Sequence, residues 1–415
     1  MIDNVAHILG KELMAASQGI DFLRSLQSSP PLKQVHALLR AQCPTIMQDR
    51  YIAPDIEAAS ALVHGGSLTR ILRTLPVLPT LWIPVELEEP NPLGAPMKKS
   101  LIALAAAAFC LAAVTAQAQA KDTPVAIGMS GWTGFAPLTL AKEAGLFKKH
   151  GLDVSIKKIP QKDRHLAIAS GDIQCAATTV ETWIVWNAIG VATTQIFQLD
   201  KSFGADGMVV KPGIASIKDL KGKTVAASAP GTAPYFTLAW MLAKNGMTLK
   251  DVTIVNLEPQ AAANAMIAGA ANLDAAMTYE PFLSAVRARP EAGKIIATTL
   301  DYPMVMDTFG CTPKFLAENP KAAQGLANAY FDALDMIKAE PKKSFEIMGA
   351  DVKQTAEAFE ASQKFLRWQD RAANQKFFAG EHAQFSKEAA DLLLSAGIIR
   401  SMPDLTKLAD TRFIK

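Results

Sequence analysis

From Thr123 onward the apolar residues of this chain switch repeatedly between strand-like and helical spacing, and this alternation limits the fold more than any other feature. Val125 to Met129 reads as a strand, Pro137 to His150 as an amphipathic helix, and Leu152 to Ile159 as a second strand. Lys162 to Ser170, Ile173 to Ala177, Val180 to Ile189 and Thr194 to Leu199 continue as helix, strand, helix, strand. A second block begins near Met208. Its strands are Thr224 to Ala227, Thr253 to Leu257, Ala275 to Thr278 and Lys294 to Thr298, with helices Ala233 to Asn245, Pro259 to Ala268 and Pro281 to Arg287 between them. After Leu300 the strands thin out, and 313 to 397 reads as mostly helical. Parallel strands need crossover helices, so the pattern implies an α/β fold with mainly parallel sheets covered on both faces. Blocks joined near 205 and again near 302 imply two α/β lobes, residues 121–206 with 302–415 and residues 207–301. The double crossing makes a hinge, and open α/β folds bind ligands in a cleft of that kind.

Upstream, Lys98-Lys99-Ser100, the apolar run Leu101 to Val114 and Ala118-Gln119-Ala120 have the three parts of a secretory signal over 97–120. A membrane span wants about 20 apolar residues, and this run is interrupted by Thr115, Gln117 and Gln119. Cys110 follows Phe109, where a lipid-attachment signal wants a small residue. Export to the periplasm as a product starting at Lys121 is the expectation. Residues 1–96 need another explanation. Val5, Ile8, Leu9, Leu13 and Ala16 have helical spacing, and a Pro pair stands at 30 and 31. Asn4 to Gly10, Ala15 to Asp21 and Asp49 to Ile56 resemble the C-terminal end of histidine ammonia-lyase, over residues 3 to 65. The expectation is a lyase tail fused or misread into this frame, with Met97 as the working start. Such lyases build an electrophile from Ala-Ser-Gly. Here Ala169-Ser170-Gly171 lies in the exported part without the lyase frame, and it reads as a helix end with Gly171 as its left-handed cap.

Charge excludes little. With 42 basic and 39 acidic residues the chain is +3 overall, and without a basic cluster there is no electrostatic reason to expect nucleic acid. Beyond the signal stand Cys175 and Cys311, too few for a disulfide framework and without metal-type spacing. Whether they pair is left open: one disulfide between them is possible in an oxidising compartment. His150, His165 and His382 are dispersed, so neither a metal site nor a catalytic cluster is expected.

The candidate binding residues lie where strands give way to helices. Trp132, Thr133, Gly134 and Phe135 occupy the first such loop, where backbone approaches a ligand and two aromatics wall it. Gly231 and Thr232 precede a helix whose free N–H groups suit an anionic group, unless Thr232 is only an N-cap. Glu181, Glu280 and Asp307 fall at strand ends or helix starts; converging in a cleft, they would bind an amine, amidinium or guanidinium. Tyr235, Tyr279 and Trp183 complete an aromatic wall, while Trp186 is assigned to the core.

Gly134 to Val154, Ile217 to Val225, Pro230-Gly231-Thr232 and Ala275 to Phe282, in that order, resemble periplasmic substrate-binding proteins of nitrate, sulfonate and taurine ABC importers. The resemblance covers nearly all of 121–415. It implies a type II periplasmic-binding-protein-like fold, a monomer that captures a small solute, docking on a permease and ATPase, and neither catalysis nor a cofactor. The three acids depart from a purely anionic ligand, so a small nitrogen-containing solute is expected: an amine, amidine or urea-like compound, amino acid or taurine-like molecule. Sulfonate or nitrate binding is the alternative. Two further readings are weaker. A thiamine-pyrimidine-synthase-like enzyme relies on a Cys-rich segment that this chain lacks, and an envelope interaction protein would keep the fold without the transporter.

Overall fold

The computed structural model describes residues 2–22, 30–46, 52–65, 68 and 122–415; the signal-like stretch 97–120 lies outside the described residues. The chain divides into two compact units, residues 1–111 and 112–415. In the first, helices Ile2–Phe22, Pro30–Arg40 and Ala53–His64 enclose Met14, Leu39, Cys43, Ala59 and Leu62. Asp21 accepts hydrogen bonds from Arg40 Nε and Thr45 Oγ1, both 2.8 Å, and lies 2.9 Å from His36 Nε2, which ties the first helix to the second and to the turn after it.

The second unit contains two sheets with one shared strand order. The first is built from β1 (Thr123–Met129), β2 (Leu152–Lys158), β3 (Cys175–Thr179), β4 (Thr194–Ser202), β10 (Met306–Cys311) and β11 (Leu366–Trp368), ordered β2-β1-β3-β10-β4-β11. The second is built from β5 (Asp206–Val210), β6 (Thr224–Ala226), β7 (Thr253–Val255), β8 (Ala275–Tyr279) and β9 (Lys294–Thr298), ordered β7-β6-β8-β5-β9. In each, β10 or β5 runs antiparallel to both neighbours, while the strands joined by crossover helices run parallel to one another. The mainly parallel sheets expected are instead mixed, with four parallel strand pairings and five antiparallel ones. Four of the antiparallel pairings have a topological cause, because β5 and β10 are the strands that enter a sheet directly from the other one; the fifth joins the edge strand β11 to β4.

Two strands were not foreseen after Leu300. β10 alternates small and large residues, Thr308-Phe309-Gly310-Cys311, and reads as a strand only once it is seen wedged between β3 and β4. β11 is a three-residue edge. The helix expected over Pro137 to His150 is instead Ala136–Glu143 followed by the short Leu146–Lys149, since Gly145 at φ 72° turns the chain left-handed. Cys175 and Cys311, register partners on β3 and β10, form a disulfide. This decides the pairing that the sequence left open, which depends on the insertion of β10 between β3 and β4.

Phe197, Phe309 and Tyr330 stack in the core of the first sheet. The helix Pro320–Ala339 covers that sheet, burying Leu326, Tyr330 and Phe331. The C-terminal helix His382–Ser395 behaves differently. Its Phe385 packs 6.4 Å from Phe236 and 5.9 Å from Trp240 (ring centroids), both on the helix Ala233–Lys244, in a cluster that also holds Val180, Ile184 and Val185. One apolar cluster therefore links helices of both sheets.

Candidate functional site

The parallel strands of both sheets point their carboxyl ends at a common seam, where open α/β folds place ligands. Ser130 and Trp132 follow β1, Thr179 ends β3 and Tyr279 ends β8, while Asp206 and Asp307 stand at the starts of the antiparallel β5 and β10. These residues, with Phe135, Gln161 and Arg164, line a cavity of about 20 Å³. That is room for about one water.

The walls are aromatic. Trp132 is buried and meets Tyr279 edge to face at 5.3 Å, so that one ring from each sheet closes the seam. The Trp132 indole N–H donates to both Asp200 oxygens at 3.3 Å. Gly134 makes this possible: a Cβ there would stand 2.2 Å from Asp200 Oδ2 and from Trp132 Nε1. Its carbonyl accepts a 3.1 Å hydrogen bond from Trp368 Nε1.

The floor is acidic. Asp206 and Asp307 line the cavity directly, Asp200 is the register partner of Asp307 across β4 and β10, and Glu181 lies behind Thr179, whose hydroxyl donates to Glu181 Oε1. All four carboxylates are at most 4% exposed. Burial pushes Glu181 up to about 8, Asp206 up to about 7, the latter also by the charge of Glu280, and Asp200 up to about 8. Asp307 is raised well above its ordinary value, first by burial and then by Asp200, Asp206 and Glu181. Like charges packed this closely in low dielectric cannot all ionise without a cation. Among the described residues, Asp206 Oδ2 and Glu181 Oε2 have no hydrogen-bond partner.

One guanidinium answers them from the lining. Arg164 is 1% exposed, donates through Nε to Ile159 O at 2.9 Å and through Nη1 to Ala177 O at 2.6 Å, and leaves Nη2 without a partner among the described residues. Burial lowers its pKa to about 10. Groups of three or more His, Cys, Asp or Glu arranged to hold a metal ion are absent among the described residues.

The structure brings together Trp132, Phe135, Tyr279 and Asp307, with Glu181 one hydroxyl removed; Thr133 and Gly134 support Trp132 from behind. Others fall elsewhere. Glu280 is paired with Arg287 and accepts from Ser284 N at 3.2 Å, while Arg287 Nη2 reaches Gly204 O at 2.8 Å. It therefore braces the crossing at 203–205 and lies outside the cavity lining. Trp183 is fully buried against Trp186 and donates to Thr308 Oγ1 at 2.8 Å, which makes it core. Tyr235 is half-buried outside the cavity lining. Gly231 and Thr232 contribute backbone only: Gly231 O accepts from Thr182 Oγ1 at 3.2 Å, and the Thr232 hydroxyl turns to Ala229 O at 2.7 Å and caps nothing. Of the helix N–H groups expected to suit an anion, that of Ala233 is taken by Gln161 Oε1 at 3.0 Å.

Sequence reasoning missed Asp200, Asp206, Arg164, Gln161 and Ser130. Asp200 and Asp206 flank the crossing at 203–205, where a charge inside or beside an apolar strand run was the available signal. Arg164, on a short helix with ordinary polar neighbours, offered none.

The NMT1/THI5-like family model matches residues 132–344. This chain belongs to the NMT1/THI5-like family. Solved structures with the same architecture include the alkanesulfonate-binding protein SsuA from Xanthomonas axonopodis pv. citri bound to MOPS, with TM-score 0.61 and 17% identity over 70% of this chain and 99% of that one. The periplasmic nitrate-binding protein NrtA from Synechocystis PCC 6803 gives TM-score 0.57 and 18% identity over 69% and 86%. The Candida albicans CA3427 product, described as having the generic periplasmic binding protein structural fold, gives 0.57 and 15% over 69% and 96%. At these identities the likeness fixes the fold, that of the periplasmic binding proteins. Separately, 65 residues are 57% identical to histidine ammonia-lyase of Roseobacter denitrificans (strain ATCC 33942 / OCh 114), covering 16% of this chain and 13% of the lyase. The chain of this NMT1/THI5-like protein thus spans about an eighth of that relative's length.

Proposed function

We propose that this NMT1/THI5-like protein is the extracytoplasmic solute-binding component of an ABC importer, and that it captures a small nitrogen-containing solute between its two sheets without making or breaking a bond. The observation that carries the reading is the excess of buried carboxylates at the seam. Two line the cavity and two stand behind them, against the single guanidinium of Arg164. An ammonium, amidinium or guanidinium placed among them offsets their desolvation and gives the orphaned Asp206 oxygen a donor. Trp132, Phe135 and Tyr279 supply apolar walls on which a cation also gains from the ring faces.

A cavity of about 20 Å³ is too small for any such solute, so entry requires the sheets to part at the crossings 203–205 and 299–305. Binding energy then stabilises the closed form over the open one, and the closed form is the one presented to a permease and its ATPase. Release to the periplasm through the 97–120 signal and a monomeric state complete the reading. A second reading, an oxyanion such as a sulfonate or nitrate, has one observation in its favour, the unpartnered Nη2 of Arg164. A thermal-shift screen of the full chain against amines, amidines, amino acids, taurine, alkanesulfonates and nitrate separates the two. A true ligand at a hundredfold excess over its Kd raises stability by about 2.7 kcal/mol. The proposal expects cationic nitrogen compounds to do so; stabilisation by sulfonate and nitrate alone would favour the second reading.

A further inference from the structure

Gln161 bonds to both walls of the seam with the two ends of a single amide. Its NH2 faces three hydroxyls of the first sheet's elements, Thr178 Oγ1 at 2.8 Å, Thr182 Oγ1 at 2.9 Å and Thr179 Oγ1 at 3.3 Å. Its carbonyl accepts the Ala233 N–H at 3.0 Å, at the start of the twelve-residue helix Ala233–Lys244 in the second sheet's cover. That helix lacks its own cap, because the hydroxyl of Thr232, in the N-cap position, is bonded to Ala229 O. Gln161 thus satisfies, from the opposite wall, one of the first-turn N–H donors that a helix leaves without an intrahelical partner. Thr182 Oγ1 adds a bond across the same seam to Gly231 O, one turn from Thr179, whose hydroxyl leads to Glu181.

We infer that Gln161 is a positioning residue that locks the closed seam: its bond to Ala233 exists only when the two walls meet, so helix capping and closure are one event. When the seam opens, the amide loses its partner on the far wall and the helix start is left to water. Gln161 therefore sets how much of the protein is closed whichever solute enters, and the inference does not depend on the solute's charge.

The test compares amide hydrogen exchange and small-angle scattering for the full chain and three variants. Gln161→Met keeps the side-chain length and removes both polar ends. Gln161→Glu keeps an acceptor, which the positive end of the helix favours. Ala233→Pro removes the donor at a position where proline suits a helix start. In the wild type the Ala233 amide is protected. In Gln161→Met it exchanges faster by about tenfold while amides of β4 stay protected, as one lost bond to a helix start predicts. The radius of gyration rises in Gln161→Met and in Ala233→Pro and stays at the wild-type value in Gln161→Glu. An Ala233 amide still protected in Gln161→Met, or an unchanged radius of gyration in Ala233→Pro, overturns the inference. The second measurement decides alone if Gln161→Met does not fold.

Discussion

Among single residues, Asp206 and Asp307 bear most directly on the function. Both line the cavity, both are pushed upward by burial, and the unpartnered Oδ2 of Asp206 is the acceptor a cationic solute would find. Asp206→Asn is expected to weaken a cationic solute by about ten- to a hundredfold, the worth of one charge-assisted hydrogen bond, as read by titration calorimetry. The same carboxylates make binding pH-dependent. With Asp206 near 7 and Glu181 and Asp200 near 8, a cation must draw protons off them below those values, so its affinity should rise as pH goes from 6 to 8.5. Gly134→Ala supplies a separate test. A Cβ 2.2 Å from both Asp200 Oδ2 and Trp132 Nε1 cannot be accommodated, so Trp132 must leave Asp200, and quenching of tryptophan fluorescence by added solute should be lost. Of the residues expected from the sequence, Trp132, Phe135 and Tyr279 stand at strand-to-helix junctions where a local rule applies, and with Asp307, near the start of β10, they line one cavity. Glu280 obeyed the same rule but stands outside the cavity lining, because its partner Arg287 and the Gly204 carbonyl beyond it are brought together only by the fold.

The elements explain why those junctions converge. β1, β3 and β8 end at the seam, and β5 and β10, arriving from the crossings, begin there, which brings Asp206 and Asp307 into the cavity lining. The alternation of strands and helices up to Thr298 was legible because each crossover unit buries its own apolar face. β10 was not, since its Gly310 and Cys311 acquire a role only between β3 and β4, where the disulfide to Cys175 pins it. Replacing both cysteines with serine opens a link between residues 136 apart in sequence and is expected to lower stability by about 2–4 kcal/mol, measured by urea unfolding. Glu280→Gln removes the partner of Arg287 at the crossing. It should cost about 1–3 kcal/mol of stability and leave solute affinity nearly unchanged, the reverse of the Asp206 variant.

For the whole molecule, the acidic seam sets an opposition between stability and function. Carboxyls held protonated up to pH 7 or 8 in the fold ionise near pH 4 in the unfolded chain, so the folded state holds more protons between those limits. Stability of the free protein therefore falls as pH rises from about 4 to 8, and thermal unfolding across that range should record the decline. A bound cation is expected to flatten that slope by stabilising the ionised carboxylates. The apolar cluster that joins Phe385 to Phe236 and Trp240 across the helices of both sheets limits how far the seam can open, consistent with a clamp for a small solute. The account's central claim is met most directly by calorimetric titration of the full chain at pH 7.5 with small amines, amidines, amino acids, alkanesulfonates and nitrate, repeated with the Asp206→Asn, Asp307→Asn double variant. It predicts one site for a cationic nitrogen compound, recovered chemically intact and lost in the double variant. Binding of sulfonate or nitrate alone, undiminished in that variant, would contradict it.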